Sequence, residues 1–122
     1  MNTETRIINN LKITVVSSSE IIISDVASAI DFIATVSYET GSHAVILNKA
    51  AVSEGFFDLK TKIAGEILQK FVQYQMKLAI VGDFSRYSSK SLKDFFYECN
   101  KGRDLFFVSD EETAIEKLAA LR

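Results

Sequence analysis

The sequence is poor in the residues that usually build metal sites and nucleophile sites. Of its 122 residues one is histidine (His43), one is cysteine (Cys99), and none is tryptophan or proline. One His with one Cys cannot supply the ligands of a Cys/His zinc site. A single Cys forms no intrachain disulfide, which fits a reducing compartment. Without proline there is no X-Pro isomerisation, and the turns must rest on Gly, Asn, Asp and Ser. Glycine is scarce as well: the five, at 41, 55, 65, 82 and 102, leave no G-x-S-x-G nucleophile elbow. Charge of one sign is missing too. Fourteen Lys+Arg against sixteen Asp+Glu give a net charge of -2, whereas a nucleic-acid binder is basic overall or along a stripe. No apolar run approaches the roughly 18–20 residues that span a bilayer. The start, Met1 to Arg6, lacks the basic-then-apolar layout of a signal peptide. The expectation is a cytoplasmic protein with no membrane and no nucleic-acid partner.

What is present is ordinary for a globular domain: 48% apolar and 25% charged residues. The length suits one domain, residues 1–122. Thr5–Ile8 and Leu11–Val16 are β-prone runs joined by Asn9-Asn10, which tolerate the left-handed backbone of a tight hairpin. Ile21–Ile23 is a short strand or an entry segment. Ser24-Asp25 is an N-cap signal ahead of Val26, Ala29, Ile30, Ile33 and Val36 at helical spacing, with Gly41 as the stop. Ala44–Leu47, Leu78–Val81 and Leu105–Val108 are continuous apolar runs, as strands covered on both faces require. Between them lie a helix with Ile63, Ala64, Ile67, Leu68, Phe71 and Val72 on one face, and a helix capped by Ser88 or Ser89 with Leu92, Phe95, Phe96 and Cys99 inward. Ser109 with Glu112 forms a capping-box pattern for a last helix that turns Ile115, Leu118 and Leu121 inward. The predicted fold is a single α/β domain of order ββ(β)αβαβαβα, a mixed, mostly parallel sheet with an N-terminal antiparallel hairpin.

Two blocks carry a family resemblance. They are Phe56-Phe57-Asp58-Leu59-Lys60-Thr61 with Ala64–Phe71, and Ala79-Ile80-Val81-Gly82-Asp83-Phe84-Ser85 with Ser89-Lys90, Leu92, Asp94-Phe95, Glu98, Asn100 and Gly102. The chain resembles, over nearly its whole length, the bacterial domain-of-unknown-function family 4180. It departs at Lys62, where that family more often has Gly, and at Cys99, where it more often has Ser. The resemblance implies no activity. The element order is also similar to STAS domains, the anti-sigma-factor-antagonist class. Their Asp-Ser-Ser/Thr-Gly phosphosite has no counterpart here, and Thr61 is the nearest hydroxyl to that place.

Open α/β sheets bind ligands outside the carboxyl ends of their strands. Three loops gather there: 48–60, 83–87, and the one starting at Ser109. Their polar residues include Asn48 and Lys49, and the candidate face is Glu54, Phe56, Phe57, Asp58, Lys60, Thr61, Asp83, Ser85, Arg86 and Lys90. One Phe of the 56–57 pair is expected to plug the core; the other either joins it there or stands exposed as a partner anchor. Ser85-Arg86 and Ser88-Ser89-Lys90 suit an anion at a helix start, and equally suit plain capping. His43 precedes its strand, at the opposite edge from these loops, which disfavours a Ser-His-Asp group. Cys99 is in register with an inward helical face, where a thiol is inert. No catalytic residue, metal site or cofactor is assigned. The expected role is a non-enzymatic regulatory or protein-interaction module with an unknown protein partner. The alternative is a small-molecule or anion-binding domain, or an enzyme using carboxylates at the same edge. A pocket enclosing Asp58, Asp83 and Arg86 favours the alternative; an exposed Phe favours the module. The hairpin edge is also free to pair with a second copy.

Overall fold

The computed structural model describes residues 1–121. Strands β1 (Asn2–Ile8), β2 (Leu11–Ser17), β3 (Ala44–Asn48), β4 (Lys77–Val81) and β5 (Leu105–Val108) form one sheet in sequential order. β1 and β2 are antiparallel and the remaining pairs are parallel. The hairpin turn is the one its two asparagines call for: Asn9 and Asn10 have φ of 52° and 67°. The Ile21–Ile23 segment contributes only a bridge, Ile23 to Val52, rather than a strand.

Four helices follow: α1 (Val26–Thr40), α2 (Ile63–Gln73), α3 (Lys90–Lys101) and α4 (Glu111–Ala119). Strands in sequential order joined by crossovers of one hand deliver each connecting helix to the same face. Accordingly Ala29, Phe32, Ile33 and Val36 of α1, Ala64, Ile67 and Phe71 of α2, and Leu92 of α3 pack with Val45, Leu47, Leu78, Ile80 and Phe107. Ala114 and Leu118 of α4 cover the other face, made by Ile13, Ala44, Ile46, Ala79, Phe106 and Val108. Two-residue alternation along β3 (Val45 and Leu47 against Ala44 and Ile46) explains why its run is apolar throughout. Among the described residues no helix is long and apolar enough to cross a membrane.

The helix ends follow side-chain chemistry, with one shift from the sequence reading. α1 has a reciprocal cap between Asp25 and Ser28 and stops at Gly41 in the left-handed region. α3 is capped by Ser89. α4 is capped by Asp110, not Ser109: the carboxylate accepts from the Thr113 N–H, and the Ser109 hydroxyl is 3.3 Å from that carboxylate. A carboxylate is the stronger acceptor for a free helix N–H, so the start moves by one residue. Val72 of α2 is 48% exposed, because the sheet holds only Ala64, Ile67 and Phe71 fully inward.

Buried side-chain polar atoms are all partnered among the described residues. The fully buried hydroxyls of Thr14 and Ser42 illustrate how. Thr40 donates to the Val36 carbonyl and Thr14 donates to Thr40. With that hydrogen committed, Thr14 is the acceptor for Ser42 at 2.6 Å and Thr5 at 3.1 Å. The chain ties the hairpin to the end of α1. Two asparagines extend the ladder with side-chain amides. Asn48 bonds both backbone groups of Ser18, and Asn100 bonds both backbone groups of Phe107 on the β5 edge.

Candidate functional site

After β3 the chain does not form an open loop. It winds through three short 3-10 turns, Lys49–Ala51, Glu54–Phe57 and Leu59–Thr61. The middle turn drives two aromatic rings downward. Phe56 is 1% exposed and Phe57 is 6% exposed. Both rings therefore belong to the core, and neither stands exposed as a partner anchor. Phe57 is enclosed by Phe56, Phe84, Tyr87, Phe96 and Phe107, with centroid distances from 5.0 to 6.4 Å. These rings come from both loops, from α3 and from β5, so aromatic packing consolidates the edge.

A charged layer lies over the rings. The Glu54 carboxylate accepts from Arg86, from Lys49 at 3.3 Å and from the Tyr87 hydroxyl at 3.0 Å. Arg86 also stacks over the Tyr87 ring at 5.0 Å and donates to its hydroxyl at 3.2 Å. The Lys49 ammonium sits 5.1 Å from the centroids of both Phe57 and Tyr87, within the range of a cation–π contact. Its stem crosses the end of β4 where Gly82 has no side chain: a Cβ there would lie 2.5 Å from the Lys49 Cβ. Glu54 and Arg86 thus join the first and second loops, as the sequence placement of the edge requires. Lys49, one of the polar residues already placed at this edge, and Tyr87, which was not singled out, complete the set. A tyrosine and a Gly-Asp turn within a polar loop were the available signal for Tyr87.

The surroundings favour the charged forms of Glu54, Asp83 and Arg86. Partial burial works against the Glu54 charge. Hydrogen bonds from Tyr87 and Lys49, with the charges of Lys49 and Arg86, outweigh it and hold the carboxyl below its ordinary range. Asp83 is also lowered, first by the hydroxyl of Ser85 and then by its backbone N–H. Arg86 is raised by its hydrogen bond to Tyr87 and by Glu54.

The other candidates separate from this cluster. Asp58 caps the third 3-10 turn through the Lys60 N–H. It lines an open depression of about 550 Å³ with Phe57, Leu59, Lys60, Ser89 and Ser91. Asp83 and Arg86 are not part of that lining, so the depression does not enclose the trio on which the alternative rests. The Thr61 hydroxyl is shared between the carbonyls of Gly55 and Asp58 and accepts from Ile63, which locks the turns together. Lys90 pairs with Asp94 one helical turn on and not with Glu54. His43 lies at the amino end of β3, its carbonyl bonded by the Lys77 N–H. Cys99 is half-buried, and burial with the Glu98 charge pushes its thiol up to about 11. Among the described residues no three His, Cys, Asp or Glu side chains converge as a metal site needs.

A model of the family described as "Domain of unknown function (DUF4180)" matches residues 8–118. No curated protein and no solved structure matches the chain.

Proposed function

The chain belongs to the DUF4180 family, and from the geometry of its sheet edge we propose that it is a non-enzymatic regulatory or protein-interaction module. Its recognition face is the surface formed by the 54–61 turns, the 83–87 loop and the start of α3. The observation that carries this reading is the Glu54 set: one carboxylate bonded by Arg86, Lys49 and Tyr87. Rigid aromatics beneath and fixed charges above make a preorganised surface, which lowers the ordering cost of binding. A proton-transferring enzyme needs a group poised near neutral pH. Here the shifts run the other way, with Glu54 and Asp83 lowered and Arg86 raised. Lys60, Ser89 and Ser91 beside the depression supply the polar rim for a protein partner.

The test is affinity capture from the native host with wild type, Arg86→Ala, Lys60→Ala and Glu116→Ala baits, the last on the exposed side of α4. Loss of one partner with the first two variants and its retention with the third supports the face. Retention with Arg86→Ala and Lys60→Ala, or loss with Glu116→Ala, places recognition elsewhere.

A further inference from the structure

We propose that the outer edge of β1 pairs antiparallel with β1 of a second copy, with Thr5 opposite Thr5, so that one sheet runs through two chains. This stands apart from the recognition face, which lies at the carboxyl ends of the parallel strands.

The two sheet edges are treated differently. On β5, Asn100 occupies both backbone groups of Phe107 and takes the place of a further strand. β1 has seven residues, Asn-Thr-Glu-Thr-Arg-Ile-Ile, and a partner strand on one side only. It has no proline, no lysine and no bulge to blunt the edge, and its two charged residues, Glu4 and Arg6, are of opposite sign. Ile7 is 71% exposed there.

Backbone phase and symmetry then select the register. The Asn9-Asn10 turn is a two-residue loop, so Ile8 and Leu11 close the hairpin as a hydrogen-bonded pair. Counting back by twos, the even-numbered residues turn their N–H and C=O toward β2. Thr3, Thr5 and Ile7 turn theirs outward. A two-fold axis between antiparallel strands runs perpendicular to the sheet and pairs residues that face the same way. It must therefore pass beside a residue. Centred on Glu4, it sets Glu4 against itself; centred on Arg6, it sets Arg6 against itself. Centred on Thr5, it sets Glu4 opposite Arg6 of the second copy twice over, and Thr3 opposite Ile7. Opposite charges facing each other across strands are favourable and like charges are not. The same register aligns all three outward-facing backbone residues, giving about six ladder hydrogen bonds. Glu4 and Arg6 already meet within one chain, and Arg6 also reaches Glu111 on α4. Their side chains are 63% and 41% exposed, open to a second copy.

Sedimentation of the full chain across a dilution series tests the proposal. Wild type is expected to move from one chain to two as concentration rises. Glu4→Arg and Arg6→Glu alone should each raise the dissociation constant at least about tenfold, and the double variant should restore it. Thermal unfolding confirms that each variant is folded. Should a charge variant fail to fold, cross-linking decides in a Cys99→Ser background. Thr5→Cys forms a disulfide-linked dimer, because the opposed Cα atoms lie about 5.5 Å apart, and Thr3→Cys does not. A wild-type chain that stays single at all concentrations, a dimer indifferent to Glu4→Arg, or no cross-link at position 5 overturns the proposal.

Discussion

Lys49 lies across Gly82 so closely that a Cβ on the glycine would stand 2.5 Å from the lysine's own Cβ. The clash is with the near, backbone-held end of the side chain, which cannot swing aside. Gly82→Ala should therefore cost about 1–3 kcal/mol, in the range of an overpacked site, by equilibrium urea unfolding. Lys49→Gly removes the clashing atom, so the double variant should be more stable than the sum of the single effects predicts.

The two chemistries of the edge separate by substitution. Phe57 is 6% exposed within the aromatic cluster, so Phe57→Ala should cost about 3–5 kcal/mol. Arg86 and Glu54 are each 61% exposed, so Arg86→Ala should cost less than about 1 kcal/mol. Denaturant midpoints check both. Arg86→Ala is the informative variant for binding, whereas a loss of binding in Phe57→Ala would report unfolding.

Lys62 begins α2 with φ of 64°. Its N–H donates to Leu59 and its carbonyl accepts from Glu66, so the backbone defines the turn and the side chain only strains it. Lys62→Gly should stabilise the protein by about 0.5–1 kcal/mol, read as a higher unfolding midpoint.

Position 62 also shows what the sequence could and could not reveal. The resemblance has glycine more often there, and the left-handed backbone explains why. The hairpin, the three buried strands and Gly41 were legible because each is a local signal: φ tolerance at Asn9-Asn10, apolar runs, a helix stop. The fate of Phe56 and Phe57 was not local. Which way each ring points depends on the 3-10 turn of 54–57 and on rings from α3 and β5, distant in sequence. The Glu54–Arg86 pair is likewise 32 residues apart. Both ends were marked as edge residues, but nothing in spacing joined them to each other, to Lys49 or to Tyr87.

Acid should weaken the fold through its carboxylates. Asp25 and Asp110 are held below the ordinary range chiefly by backbone N–H groups of Ser28 and Thr113, and Glu54 and Asp83 are lowered too. A lowered folded value means stability that is fully present above the unfolded value near about 4 and is lost as pH falls through the folded one. Unfolding midpoints should be level above about pH 5 and decline below about pH 4. Asn still caps a helix but does not titrate, so Asp25→Asn with Asp110→Asn should make the decline shallower. An unchanged acid slope would count against the capping explanation.

The most direct measurement of the recognition face is hydrogen exchange of the chain, free and bound to the captured partner. Binding at the carboxyl edge requires slowed exchange in 54–61 and 83–91, with α4 unchanged. Protection confined to α4 or to the amino ends of the strands, with the 54–61 and 83–91 segments exchanging as in the free chain, would contradict it.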